Sequence, residues 1–125
     1  MFEKIVDENK KLTTITVAWE AGFCELMDVL KNFFDDNITK HLLLDLRDCS
    51  FDTITHDHIR ELCEYTSFRA DRESRVNGKI ALVNSNDLQF EICKIFKTYS
   101  EMIGSAITVS VFRSTEDALI WLEEA

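Results

Sequence analysis

The residues best suited to chemistry are gathered between positions 45 and 57. Four acids occur there with three hydroxyl side chains: Asp45, Asp48, Asp52 and Asp57, and Ser50, Thr53 and Thr55. Such a loop could hold a divalent cation or accept a phosphoryl group. The same residue types also build turns and helix N-caps. Because a helical pattern follows the loop, we favour turns and caps and predict no metal site.

Two other arrangements near this loop have a chemical interpretation. His56 and His58 form an H-x-H pair, but residues two apart on a helix do not share a face for chelating zinc. Cys49 could act as a nucleophile with His56, because a thiol at a helix start ionises more easily. No glycine-rich phosphate motif, nucleophile elbow or H-E-x-x-H motif occurs. We therefore predict no enzyme, no cofactor and four inert cysteines.

The hydrophobic pattern predicts helices and strands in the order ββαβαβαβα. Residues Phe2–Val6 and Lys11–Trp19 are rich in β-branched and aromatic types and are predicted to form a β-hairpin around the polar segment Asp7–Lys10. The elements that follow are a helix over 23–34, a strand over 41–46, a helix from about Thr55 to the stop signal at Asn77-Gly78, a strand over 79–83, a helix from about Ser85 to Gly104, a strand over 107–112 and a helix from Ser114 to Leu122.

Apolar stripes predict which helix faces meet the core. The first helix has its stripe at Phe23, Leu26, Met27, Leu30, Phe33 and Phe34, and the third at Leu88, Ile92, Ile95, Phe96, Tyr99, Met102 and Ile103. Several aromatic residues are large or lie off these stripes: Trp19, Tyr65, Phe68, Phe90 and Trp121. They belong either to an oligomer interface or to surfaces that neighbouring elements cover.

Helices alternating with short apolar strands predict an α/β fold. Right-handed crossovers would give a mixed, mainly parallel sheet flanked by helices, with the hairpin as its antiparallel edge. In such sheets, ligands and switches lie at the carboxyl ends of the strands. This directs attention to the loops Arg47–Thr55 and Asn84–Asp87.

Length and charge limit the classes of partner. At 125 residues the chain has the size of one domain, and we expect residues 1–125 to share one core. Its net charge of −9 disfavours nucleic acid and membrane surfaces as partners. No apolar run is long enough to span a membrane, so we expect a cytoplasmic protein, with its cysteines reduced.

Three segments resemble the SpoIIAA-like (STAS) family. They are LLLDLRDCSFDTITHDHIREL at 42–62, KIALVNSNDLQFEICKIF at 79–96 and VSVFRSTEDALIWL at 109–122. The resemblance implies the family's fold and a regulatory function. It also implies a switch at the D-S-S-G position, where the second serine is phosphorylated in anti-anti-sigma factors. Here the matching residues are Asp52-Thr53-Ile54-Thr55, so isoleucine replaces the acceptor and the serine switch does not carry over.

The sequence thus leads to one principal hypothesis and one alternative. The principal hypothesis is a non-enzymatic regulatory or protein-interaction domain that binds a protein partner or itself as a homo-oligomer. Its candidate interaction and switch residues are Asp48, Ser50, Asp52, Thr53 and Thr55. The alternative is a carrier of a small apolar, lipid-like ligand, held between the sheet and the first helix, as in the SEC14-like relatives that the resemblance includes.

Overall fold

The computed structural model describes residues 2–20, 22–36, 39–72 and 78–124, arranged around a five-stranded sheet. The strands are β1 (Phe2–Asp7), β2 (Leu12–Val17), β3 (Trp19–Glu20), β4 (His41–Asp45), β5 (Cys49–Ser50), β6 (Lys79–Val83) and β7 (Thr108–Phe112). The helices are α1 (Phe23–Asp36), α2 (His56–Arg72), α3 (Asp87–Ile103) and α4 (Thr115–Glu123). The predicted order is confirmed, with two-residue strands β3 and β5 added.

The five-stranded sheet is mixed and mainly parallel, as predicted. β1 and β2 form the antiparallel hairpin, and β2, β4, β6 and β7 then lie side by side in parallel. The register aligns Ile15 with Leu44, Leu44 with Leu82, and Leu82 with Val111, so one apolar row crosses the sheet. Because these four strands are parallel, their carboxyl ends meet at one edge.

Helices cover both faces of the sheet. Leu42 and Leu44 belong to the larger core cluster, which includes side chains of α1, α2 and α3. Leu43 belongs to a second cluster with Ala118 and Leu122 of α4. Since side chains alternate between the two faces of a strand, a strand buried on both sides needs a continuous apolar run. This explains the LLL sequence of β4.

The strands β3 and β5 form a second, two-stranded sheet that the sequence did not predict. They are parallel and pair Trp19 with Cys49 and Glu20 with Ser50. Two residues are too few to show an alternating pattern. Their pairing attaches the loop after β4 to the chain that leaves the hairpin.

The face of α3 that meets the core agrees with the predicted stripe at Ile92 and Phe96, which pack against the main core cluster, and differs from it at other positions. Gln89, Cys93 and Ser100 are buried. Three residues predicted to face the core are instead exposed: Leu88 at 66%, Ile103 at 40% and Met102 at 74%. The helix packs against both α2 and β7. The middle of the predicted stripe therefore packs against the core, whereas its members at the two ends of the helix are exposed.

Helix ends follow the predicted signals where they are described. The Ser114 hydroxyl accepts a hydrogen bond from the Asp117 amide and caps α4. Gly104 ends α3 in the left-handed conformation at φ 77°, which favours glycine. The Asn77 part of the predicted stop for α2 lies outside the described residues. Among the described helices, none is both long and apolar enough to cross a membrane.

His41 is the first residue of β4, and its side chain is part of the fold. The Lys79 backbone N–H donates to His41 Nδ1 at 3.0 Å, which joins the amino-terminal ends of β4 and β6. Partial burial lowers the pKa of His41 below its ordinary value of 6.5, and the charges of Lys40, Lys79 and Lys11 lower it further. The neutral imidazole is therefore the form that the fold prefers.

This preference predicts a loss of stability in mild acid. Below about pH 6.5 the unfolded chain binds a proton at His41 while the folded chain resists it, so the free energy of unfolding decreases as the pH falls. His41→Asn, whose Oδ1 can accept from the Lys79 amide, should lose less stability between pH 7 and pH 5.5 than the wild type in urea denaturation. Lys40→Gln should reduce the pH dependence partly. If the free energy of unfolding changed equally with pH in the wild type and in His41→Asn, the prediction would be wrong.

Candidate functional site

The carboxyl ends of β4, β6 and β7 are held together by one buried residue, Asn84, through its side chain and its backbone N–H. The Asn84 side chain is fully buried, and its Nδ2 donates to the Leu46 carbonyl oxygen at 3.0 Å. Its Oδ1 accepts from the Asn86 backbone N–H at 3.0 Å, and the Asn84 backbone N–H donates to the Phe112 carbonyl oxygen at 3.0 Å. Asn84 therefore fixes where the chain leaves β6 and enters α3.

A second amide attaches the loop after β4 to α3. Gln89 is buried, its Oε1 accepts from the Phe51 backbone N–H at 3.2 Å, and its Nε2 donates to Asp52 Oδ1 at 3.4 Å. The Gln89 backbone N–H donates to Asn86 Oδ1, so the Asn86 side chain caps α3. Gln89 is not among the site residues predicted from the sequence. The signal that could have found it is its spacing, since Gln three residues after an N-cap occupies the capping-box position.

Asp45 is bound by Arg47 at the end of β4. Arg47 Nε donates to Oδ1 at 2.9 Å and Nη2 to Oδ2 at 2.8 Å, a bidentate pair. Burial raises the pKa of Asp45, but hydrogen bonds from Arg47 and its charge outweigh this effect and hold the pKa below its ordinary value. Asp45 is therefore an ionised partner of Arg47. Among the residues with described positions, no three His, Cys, Asp or Glu side chains form a metal-binding group.

An open groove of about 640 Å³ lies where the two loops meet. It brings together three of the five predicted site residues, Asp48, Ser50 and Asp52. The other lining residues are Arg47, Cys49, Asn86, Leu88 and Gln89. The groove thus joins the loop after β4 to the first turn of α3, the two loops that the sequence analysis had selected.

Thr55, another predicted residue, lies outside this groove and caps α2. Its hydroxyl accepts from the His58 amide at 3.1 Å, and its own amide donates to His58 Nδ1 at 3.2 Å. The His58 ring also stacks on Phe23 of α1, with centroids 4.8 Å apart. His58 therefore has a structural position at the helix start.

Thr53, the fifth predicted residue, is exposed beside the start of α1. A Cβ placed on Gly22 would lie 3.7 Å from the Thr53 hydroxyl. The preceding Asp52 faces the groove, whereas the following Ile54 packs against the main core cluster. The side chains of the segment 52–54, which the resemblance matches to the switch, therefore point to three different places: the groove, the α1 side of the loop and the core.

Three of the four cysteines are buried. Burial raises the pKa of Cys63 to about 12 and that of Cys93 to about 12, so both thiols stay protonated at neutral pH. Cys49 is buried, and its thiol donates weakly to the Ser50 carbonyl oxygen at 3.9 Å. Cys24 is exposed on α1. The buried position of Cys49 argues against its use as a nucleophile.

A separate apolar cavity lies between the sheet and the helices α1, α2 and α3. It measures about 50 Å³, and its lining side chains are all apolar, among them Leu30, Phe51, Ile54, Leu82 and Ile92. Phe51 and Ile54 come from the loop after β4. The cavity is therefore beneath the same loop that forms the groove.

The order of the strands and the helices on both faces of the sheet are those of the SpoIIAA-like α/β fold, the STAS fold. The chain is similar to the solved structure of the anti-sigma factor antagonist SpoIIAA in its unphosphorylated form, with a TM-score of 0.56 over 100% of both chains. Sequence identity is 10%, so this similarity shows the fold alone. No protein-family model matches the sequence, and no curated protein matches it significantly.

The hydrogen bonds that join the Gln89 side chain to the loop after β4, here called the Gln89 tether, predict that removing this side chain loosens the loop. Gln89→Ala leaves the buried Phe51 N–H without its acceptor and should cost about 1–3 kcal/mol of unfolding free energy. Hydrogen exchange at the Phe51 amide should become faster. Glu91→Ala, an exposed change on the same helix, should stay within about 0.5 kcal/mol of wild type. Unchanged exchange at Phe51 in Gln89→Ala would show that the tether does not hold the loop.

The N-cap that Thr55 forms on α2 predicts how substitutions at Thr55 and Thr53 change the free energy of unfolding. Thr55→Ala should lower the free energy of unfolding by about 0.5–2 kcal/mol, because the His58 amide loses its acceptor. Thr55→Ser keeps the hydroxyl and should retain most of the stability, and Thr53→Ala should change little. Chemical denaturation of the three variants measures this, and equal stability of Thr55→Ala and wild type would exclude a capping role.

Proposed function

We propose that this protein is a non-enzymatic regulatory module that binds a protein partner through the groove between the loop after β4 and the start of α3. The proposed contact residues are Asp48, Ser50 and Asp52, with Leu88 at the rim. Thr53 extends this surface toward α1, whereas Thr55 supports it as the cap of α2. A cytoplasmic location remains the prediction made from the sequence.

The observation that carries this proposal is the exposed Leu88 beside the acids of the groove. Leu88 is 66% exposed in the first turn of α3, and the groove places it with Asp48 and Asp52. Protein interfaces combine an apolar centre with a polar rim, and Leu88 together with the polar groups of the groove supplies both. The groove is anchored by the buried amides of Asn84 and Gln89, so a partner would meet a surface already in place.

The charge of the groove favours a basic partner. Arg47 is bound to Asp45, and its neighbours in the groove include the carboxylates of Asp48 and Asp52. The whole chain carries a charge of −9, so its long-range field attracts positive surfaces. We propose that the partner presents an apolar side chain flanked by Lys or Arg.

The fold supports a binding function rather than defining one. SpoIIAA, which shares it, is an anti-sigma factor antagonist, and it was solved in an unphosphorylated form. In the present chain, Ile54 stands where the resemblance places the phosphorylated serine. The Ile54 side chain packs against the core and lines the apolar cavity. We therefore propose that partner binding here does not depend on a phosphoserine at this position.

A carrier of a lipid-like ligand is the less supported alternative. The cavity between the sheet and the helices is apolar, as a carrier requires, but its volume is about 50 Å³. An engineered apolar cavity that admits benzene in another protein measures about 150 Å³. A lipid tail would therefore enter only if α1, α2 or the loop after β4 moved outward.

Charge reversal tests the proposed groove. The double variant Asp48→Lys/Asp52→Lys should bind a partner at least about tenfold more weakly than wild type, because like charges would face the basic partner. The matched control Glu8→Lys/Glu124→Lys makes the same charge change at the opposite edge of the sheet, near the amino ends of β2 and β6, and should keep binding within about twofold. Partners would be captured from a lysate of the source organism, and the affinity of one purified partner measured by calorimetry. Equal affinity for both double variants would refute the groove as the contact site.

A further inference from the structure

An apolar stripe runs along the outer flank of α3. Leu88, Ile95 and Met102, here called the α3 stripe, are spaced seven residues apart, so each lies about two helical turns from the next with an offset of only about 20°. Leu88 is 66% and Met102 74% exposed, and Ile95 is half-buried. The stripe extends almost the full length of the helix, about 25 Å for its 17 residues.

Three of the five aromatic residues considered for an interface pack within the chain, and the side chain of a fourth, Trp19, lies outside what the structure describes. The Arg113 guanidinium lies 4.2 Å from the centre of the Phe90 ring. Tyr65 packs edge-to-face against Phe34, and Trp121 packs against Phe112. Phe68 is exposed, but on the outer face of α2. Single exposed apolar residues are normal at a surface, whereas an aligned row indicates a contact site.

The charges along α3 are balanced, although the chain as a whole is acidic. Its three acids each have a cation nearby: Asp87 with Arg113 at 2.6 Å, Glu91 with Lys94 at 3.4 Å, and Glu101 with Lys97 at 3.1 Å. With a net charge of −9, two copies repel each other in most orientations. The flank of α3 is locally neutral, so it is a face on which a second copy meets little repulsion and a basic partner gains little.

The spacing of the stripe is symmetric about Ile95. If α3 lies antiparallel to α3 of a second copy, Leu88 of each chain faces Met102 of the other, and the two Ile95 side chains meet on the twofold axis. Such a contact uses the same patch on both chains, as the commonest dimers do. Side chains at this spacing also suit interdigitation between two helices.

We propose that the protein forms a twofold homodimer through the α3 stripe, with the two α3 helices antiparallel. A contact centred on one helix from each chain is small, so the dimer is weak and concentration-dependent. This inference does not rest on the proposed function. Leu88 also lines the groove, so self-association and partner binding compete at that end of α3.

Sedimentation equilibrium over about three decades of concentration tests the dimer. Met102→Asp is the informative variant, because Met102 lies at the end of α3 opposite the groove, so a partner that contacts only the groove keeps its affinity. It should raise the dimer Kd at least about tenfold. The matched control is Ile120→Asp, since Ile120 is an apolar residue of α4 that is 62% exposed. This variant should keep the dimer Kd within about twofold of the wild-type value. A wild type that remains monomeric throughout, or equal effects of the two variants, would overturn the proposal.

Disulfide trapping tests the symmetry independently. In a Cys24→Ser background, which removes the exposed thiol, Ile95→Cys should cross-link to itself on mild oxidation. Leu88→Cys and Met102→Cys should cross-link when mixed but much less when alone. Ile120→Cys serves as the control for random collision. If Ile95→Cys cross-links no faster than Ile120→Cys, the twofold arrangement is wrong, whatever the outcome of the charge-reversal test on the groove.

Discussion

Two side-chain amides, those of Asn84 and Gln89, are buried at the edge where β4, β6 and β7 end. A buried amide left without partners costs free energy, so each must find both donors and acceptors in the protein. Asn84 finds them at Leu46 and Asn86, and Gln89 at Phe51 and Asp52. Because these partners belong to different loops, satisfying the two amides fixes the loop after β4 relative to α3, and with it the groove.

The same requirement sets the rotation of α3. Gln89 must face inward to reach Phe51, and successive residues of a helix are about 100° apart, so Leu88 is turned toward the flank. Ile95 and Met102 follow Leu88 at intervals of about two turns and share its direction. Gln89 thus contributes both to the candidate partner groove, which it holds together with Asn84, and to the direction of the proposed dimer stripe.

The likeness to SpoIIAA concerns the arrangement of strands and helices, and a shared fold leaves function to the residues of the site. Where the sequence resemblance places the phosphorylated serine, Ile54 packs into the core, while Thr55 caps α2. The loop thereby keeps a structural role, and its exposed acids, Asp48 and Asp52, provide the binding chemistry that we propose.

The sequence alone determined the element order, the mixed sheet and the helix caps at Ser114 and Gly104, because periodicity and capping are local properties of the chain. It also predicted that the loops after β4 and β6 lie at one edge of the sheet, since parallel strands bring their following loops to the same edge. It did not predict β3 and β5, the burial of Gln89 or the exposure of Leu88 and Met102. These depend on which partners reach a side chain from distant segments: Phe51 meets Gln89 only after β4, β6 and α3 have packed together. A hydrophobic pattern shows that a helix has an apolar side, but tertiary packing decides which residues of that side are buried.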